Sequence, residues 1–176
     1  MIEDQLKAAI RDVPDFPKPG ILFKDITPVL SDSLLTQKIY QHLIHEMKPW
    51  GAQVVIGVES RGFFFGLPLS WGLSASFVPV RKPGKLPYDK IEQSYDLEYG
   101  SAKIEMHKDA IQPGQKVIIH DDLLATGGTA IAAANLVDAC GGQVVGFSFL
   151  VNLSFLNGIA KLKNISDKIH VVANYD

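Results

Sequence analysis

Val117–Thr129 reads VIIHDDLLATGGT: an apolar, β-branched run, two adjacent carboxylates, and a Gly-Gly turn between threonines. The apolar run predicts a strand covered on both faces. The residues after it, GTAIAAANLVDAC (128–140), predict an alanine-rich helix closed by Gly141-Gly142. A strand that passes through glycines into a helix presents unpaired N–H groups, which favour an anion. Gly127 and Gly128 allow a tight turn and close backbone approach, and Thr126 and Thr129 add hydroxyl donors. The loop is not a Walker A sequence, because no Lys-Ser/Thr follows the glycines, and it is not GxGxxG. A phosphate touching Asp121 and Asp122 would be repelled, so these acids should face another part of the same ligand. Carboxylates accept hydrogen bonds from vicinal hydroxyls. Together the acids and the loop read as a cradle for a ribose 5-phosphate. A lone Asp-Asp pair would more simply cap a turn.

Working outward, further strands are predicted at QVVIGV (53–58), SFVPV (76–80), QKVIIHD (115–121), QVVGFSFLVNL (143–153) and KIHVVANY (168–175). Amphipathic spacing predicts helices over 2–13 and from Ser33 to about Lys48, the second capped from Ser31–Ser33 and striped by Leu35, Ile39, Leu43 and Met47. FFFGLPLSWGL (63–73) is the next helix and SFLNGIAKLK (154–163) a weaker one. PDFPKPGILFKDITP, with four prolines, is expected to be an ordered loop. RKPGKLPYDKIEQS (81–94) is expected to be a mobile polar excursion, followed by a hairpin of YDLEYG and AKIEMH. Alternating strands and helices predict an α/β fold with a mainly parallel central sheet flanked by helices. Ligands then sit beyond the carboxyl ends of the strands, which places ESRG (59–62), VRKPGK (80–85) and HDDLLATGGT on one rim.

The composition narrows the class. With 47% apolar and 20% charged residues over 176 positions, the chain is expected to form a single globular domain. A net charge of −2 argues against bulk attraction to nucleic acid. Cys140 is the only cysteine, which fits a reducing cytoplasm. No apolar run reaches membrane-spanning length, and the first residues lack the basic-then-apolar order of a secretory signal. His42 and His45 share a helix face, but metal binding would need further ligands. Phe63–Phe65 and Trp71 read as core or interface residues, and Cys140 as packing.

VIIHDDLLATGGT resembles the phosphoribosyl-pyrophosphate (PRPP) motif of type I phosphoribosyltransferases. Four further stretches are similar to the adenine branch of that family: DFPKPGILFKDITPVL (15–30), GVESRGFFFG (57–66), VPVRKPGKLP (78–87) and YDLEYGSAKIEMHKDAI (95–111). The resemblance implies the type I phosphoribosyltransferase fold, with an N-terminal helix and base-binding hood (1–32) and a lid loop and hairpin (83–106). It implies transfer from PRPP to adenine, giving AMP and pyrophosphate, in a cytoplasmic homodimer that joins near SRGFFFG. Neither nucleic acid nor membrane is an expected partner.

By position, Ala125, Thr126, Gly127, Gly128 and Thr129 would bind the 5′-phosphate, and Asp121 and Asp122 the ribose hydroxyls. Ser60 and Arg61 would hold pyrophosphate across a non-proline cis peptide, joined by Arg81, Lys82 and Lys85. Leu22, Phe23 and Lys24 would form the base pocket. Glu98 would manage the base proton, with Tyr99 beside it and Arg61 completing the catalytic set. Mg²⁺ would arrive with PRPP and need no dedicated protein ligands.

Three positions depart from relatives. His120 stands where many carry an apolar residue. It is expected to face solvent or a satisfied partner, the alternative being a bond to a neighbouring acid that tunes ribose binding. Asn152 replaces a Glu found in some relatives. Lys24 replaces an Arg found in part of the family and cannot make its forked contacts. Two other functions compete: a phosphoribosyltransferase for hypoxanthine, guanine or xanthine, against which GILFKDITP and LEYG argue, and a PRPP- or purine-sensing regulator acting on nucleic acid, against which the net charge, Arg61 and Glu98 argue.

Overall fold

The computed structural model describes residues 1–96 and 101–176. In chain order the first elements are α1 (Ile2–Ala9), β1 (Arg11–Pro14), β2 (Leu22–Asp25), α2 (Thr27–Ser31), α3 (Ser33–Met47), β3 (Val54–Val58), α4 (Gly62–Gly72) and β4 (Ser76–Val80). There follow β5 (Lys90–Asp96), β6 (Ser101–His107), β7 (Lys116–Leu124), α5 (Gly128–Ala139), β8 (Gln143–Leu153), α6 (Gly158–Leu162) and β9 (Ile169–Tyr175).

The apolar runs assemble into one five-stranded sheet in the order β4-β3-β7-β8-β9. Every pair in it is parallel. Its strands are nearly continuous in apolar residues because helices cover both faces. On one face Ile56, Ile119, Phe147 and Phe149 pack with Ala133 and Val137 of α5. On the other, Val55, Ile118 and Leu150 pack with Ile39 and Leu43 of α3 and Phe65 and Leu69 of α4. Each large side chain removed from water contributes roughly 1.5–3 kcal/mol. The alanines of α5 bring that helix close to the sheet, and its first turn therefore stands directly over the end of β7.

Several predicted elements shift. The first helix stops at Ala9, because Ile10 turns extended (ψ 132°) and Arg11–Pro14 pairs antiparallel with Leu22–Asp25. Pro14 disfavours helical geometry at Val13, so the last member of the apparent helical stripe belongs to a strand. The expected loop 14–28 accordingly holds β2 and the start of α2, and its turn carries a cis Phe16–Pro17 peptide and Asp15 at φ +57°. The polar excursion is shorter than expected. From Lys90 onward it is strand, in register with His107 of β6. Ile91, Gln93 and Tyr95 alternate inward against exposed Lys90, Glu92 and Ser94, and Ile91 and Tyr95 pack on the core beneath α5. β7 continues past Asp121 to Leu124. The weak helix at 154–163 is broken at Asn157, which sits at φ +54° between a 3₁₀ turn and α6.

α3 begins where its cap residues predict. The Asp32 carboxylate accepts from the backbone N–H groups of Leu34 (3.1 Å) and Leu35 (3.0 Å). Asp32→Ala should cost about 1 kcal/mol, the usual worth of such a cap. Urea unfolding would show this as a lower midpoint with an unchanged slope.

Candidate active site

The carboxyl end of β7 delivers Asp121 and Asp122, and the chain then turns through Ala125–Gly127 into α5. Gly127 caps the helix at φ +84°, and a Cβ there would lie 3.3 Å from the Gly158 carbonyl oxygen. Both the backbone conformation and the space call for glycine. Asp121, Phe149 and the whole loop from Leu123 to Ala130 line a cavity of about 190 Å³. Ala125, Thr126, Gly127, Gly128 and Thr129 are thus brought together around one hollow, with the N–H groups of α5 opening into it.

Asp122 is almost fully buried. Its Oδ2 lies 2.8 Å from Arg61 Nε, a close ion pair that lacks the alignment of a hydrogen bond. The Asp122 N–H donates to Asp121 Oδ1 at 2.9 Å. Burial pushes the Asp121 carboxyl well above the ordinary carboxylate range, and the neighbouring Asp122 pushes it further. Burial raises Asp122 as well, with the Arg61 guanidinium pulling it back.

Arg61 immediately precedes α4. The Glu59–Ser60 peptide before it is cis, and Ser60 is exposed on the turn. A Cβ on Gly62 would lie 2.9 Å from the His120 carbonyl and 3.1 Å from Asp121 Oδ1, so this turn rests directly on β7. The Arg61 guanidinium also lies 4.8 Å over the ring of Phe23, which meets Phe16 edge-on at 5.0 Å. One side chain therefore joins the acid pair to the aromatic ring of the N-terminal hairpin.

Side chains of β2 alternate. Leu22 is half exposed, and Phe23 turns toward Arg61. Lys24 is buried the other way, with its ammonium 2.6 Å from Asp12 Oδ1 and 4.2 Å over the Tyr175 ring. Sequence reasoning missed Glu59. Its Oε2 accepts from Arg81 Nε (2.9 Å) and from the Lys82 N–H (2.8 Å). The Arg81 hydrogen bond holds the Glu59 carboxyl below its ordinary range. An acid beside a rim already rich in cations was the available signal. Lys82 and Lys85 are exposed on the following turn. Glu98 and Tyr99 lie outside the described residues.

His120 does not face solvent, and its bond is not to an acid. It is fully buried, with Nδ1 2.9 Å from Ser148 Oγ and Nε2 without a hydrogen-bond partner among the described residues. Burial, with a smaller push from His170, lowers its imidazole to about 3. Asn152 is buried too, donating to Asn174 Oδ1 at 2.9 Å and Ser154 Oγ at 3.2 Å. Burial raises the Cys140 thiol, the direction opposite to that of a nucleophile. The His42 ring meets His170 at 5.0 Å with the two planes tilted. Among the described residues no group of three or more His, Cys, Asp or Glu side chains is placed to hold a metal ion.

Residues 33–174 match the family model for the phosphoribosyl transferase domain. The chain is 46% identical over 175 residues to the adenine phosphoribosyltransferase of Cytophaga hutchinsonii, covering 99% of this chain and 97% of that protein. It is similar in structure to the adenine phosphoribosyltransferase of Thermoanaerobacter pseudethanolicus, with a TM-score of 0.95, 45% identity, and 99% and 100% of the two chains covered. The Saccharomyces cerevisiae enzyme complexed with D-2,5-dideoxy-2,5-imino-altritol 1,6-bisphosphate and adenine superposes with a TM-score of 0.88 at 37% identity, over 97% and 98% of the chains.

The raised Asp121 pKa fixes a sign for stability. Between the unfolded value of about 3.9 and the higher folded value, the folded state keeps a proton that the unfolded state loses, so stability falls as pH rises through that window. Asp121→Asn removes the penalty and keeps an acceptor for the Asp122 N–H. The variant should melt at a higher temperature than the wild type at pH 8, and the difference should vanish below about pH 4. Thermal melts across that range decide it, and an equal or lower melting temperature at pH 8 contradicts it.

Proposed function

This chain belongs to the phosphoribosyltransferase family, in its adenine branch, and from that membership we propose how its own residues divide the reaction. It transfers the 5-phosphoribosyl group of PRPP to N9 of adenine, giving AMP and pyrophosphate, a step of purine salvage. The observation that carries the assignment of roles is the shared hollow of Asp121 and the Leu123–Ala130 loop, with Asp122 and Arg61 paired beside it.

The loop N–H groups and threonine hydroxyls take the 5′-phosphate, and Asp121 and Asp122 take the ribose hydroxyls. Ser60, Arg61, Arg81, Lys82 and Lys85 face the pyrophosphate. The C1′–O bond breaks with its electron pair leaving on pyrophosphate, and cations aimed at that developing charge lower the barrier. The N9 lone pair then forms the C1′–N bond. Glu98, with Tyr99 beside it, takes the proton displaced from the base. Asp121 and Asp122 are hard oxygen donors, suited to face the hydration shell of an ion carried by the substrate. When bound, Mg²⁺ supplies charge neutralisation of pyrophosphate and ribose oxygens.

Phe23 provides the stacking ring. Its 4.8 Å separation from Arg61 is too narrow for an inserted purine, which needs roughly 7 Å, two contact distances of about 3.5 Å. Adenine on that face therefore requires Arg61 to withdraw, a movement favoured once ribose hydroxyls occupy Asp122. Because Asp12 and Tyr175 hold the Lys24 ammonium, Lys24 serves the base through its backbone, beside Leu22. Water is excluded by closure of Pro83–Ser94 over the site, together with the hairpin that holds its turn. From Lys90 the segment is paired with β6 and moves with the hairpin.

α4 exposes Phe64, Leu67 and Trp71 on one stripe while burying Phe65 and Leu69 on the other. This supports a homodimer joined through that stripe. No helix among the described residues is long and apolar enough to cross a membrane. A cytoplasmic setting is supported by the single free cysteine, and the net charge of −2 gives nucleic acid no bulk attraction.

Pyrophosphate release with PRPP and Mg²⁺, measured with adenine, hypoxanthine, guanine and xanthine in turn, should occur with adenine alone. In the same assay Glu98→Gln should lower kcat on the order of 100-fold with little change in the KM for PRPP. Release with another base overturns the base-pocket reading, and equal turnover removes Glu98 from proton transfer. Trp71→Glu should shift the sedimenting species from dimer to monomer. A wild-type enzyme that sediments as a monomer refutes the interface.

A further inference from the structure

Glu105, in β6, is a buried carboxylate that none of the roles above uses; it is 4% exposed. Its Oε2 accepts from the Gly84 N–H at 3.2 Å and lies 3.0 Å from Lys90 Nζ. Its backbone makes a two-bond bridge to Arg81, donating to the Arg81 carbonyl at 2.7 Å and accepting from the Arg81 N–H at 2.9 Å. A single residue thus grips the beginning, the middle and the end of the segment 81–90.

The placement is costly. A buried carboxylate must be paired to be tolerated. In hairpin register Glu105 also stands opposite Glu92, a like charge. Each acid is relieved by its own lysine: Lys103 lies 2.6 Å from Glu92, and Lys90 serves Glu105. At Gly84, φ is +77° and a Cβ would find nothing within 4 Å, so no side-chain packing fixes that residue itself, although Leu86 beyond it is buried. Its N–H is held by the Glu105 carboxylate. Lys82 and Lys85 flank that glycine on the exposed side.

We propose that Glu105 is a positioning residue for pyrophosphate: it pins the turn at Gly84 so that Lys82 and Lys85 are presented to the rim beside Arg81. The proposal rests on the reading that these three cations meet pyrophosphate.

The test compares KM for PRPP, KM for adenine and kcat in the Mg²⁺-supplied enzyme for Glu105→Ala, Glu105→Gln, Lys90→Met, Lys82→Ala and Lys85→Ala. Glu105→Ala should raise the PRPP KM about tenfold, the scale of one lost charge-assisted hydrogen bond, and move the adenine KM less than about twofold. Glu105→Gln keeps an acceptor for Gly84 and should recover part of the loss, and Lys90→Met should shift PRPP in the same direction. If Lys85→Ala raises the PRPP KM while Glu105→Ala and Lys90→Met leave it unchanged, the positioning role is overturned and the cation reading stands. If neither lysine-to-alanine variant at 82 or 85 moves it, the cation reading falls and takes the proposal with it. Equal rises in both KM values mean general loosening and also overturn it. Should Glu105→Ala fail to fold, Glu105→Gln and Lys90→Met decide by the same criteria.

Discussion

Arg61 reaches Asp122 because Gly62 has no side chain. A Cβ there would collide with the His120 carbonyl and crowd Asp121, and the turn after β3 would be forced off the end of β7. With glycine, the guanidinium comes within 2.8 Å of a carboxylate that would otherwise be buried and unpaired. The same guanidinium rests on Phe23, which ties the N-terminal hairpin to the sheet. Three stretches far apart in the chain therefore meet through one close approach of backbone to backbone. The parallel β3–β7 pairing holds that approach in register, and it is in turn fixed by the core on both faces of the sheet.

The residue beneath the acid pair shapes its electrostatics by staying neutral. His120 shares β7 with Asp121 and Asp122, yet burial keeps its imidazole uncharged down to about pH 3, and its one polar contact is to Ser148. It supplies no positive charge to the carboxylates, and the Arg61 guanidinium and neighbouring backbone N–H groups offset their desolvation. A protonated histidine in this place would hold both acids ionised. With a neutral histidine beneath it, Asp121 stays raised by burial and by the neighbouring Asp122.

The sequence carried what depends on local pattern. The buried strands β3, β7 and β8, the helix α5 and the glycine loop follow from runs of residues whose burial and turn chemistry are self-contained. It did not carry what depends on pairing between distant segments. Val13 fits a helical stripe equally well until Pro14 and the partner strand at Leu22–Asp25 are considered. Lys90–Ser94 alternates as a strand does, but its charged face hid that pattern until Glu105 and Lys103 supplied partners. Glu59 lies in the turn that follows β3, and Glu105 and the burial of His120 and Lys24 turn on which way a strand presents alternate residues. A one-residue change of register reverses that.

The arginines on the rim are paired with carboxylates. Arg61 rests on Asp122 and Arg81 on Glu59, so two of the proposed pyrophosphate ligands are already neutralised by carboxylates. Such pairing lets like charges gather without driving the loops apart. In the proposed roles, ribose hydroxyls take over Asp122 as Arg61 turns to pyrophosphate, and one charge-assisted contact replaces another. Lys82 and Lys85 are held differently: their turn is fixed through backbone at Gly84 and Arg81, and their ammonium groups remain exposed. The rim thus combines arginines that must be released with lysines that need only be aimed. In the proposed roles, binding there draws on the geometry of the turn as well as on the charge of its side chains.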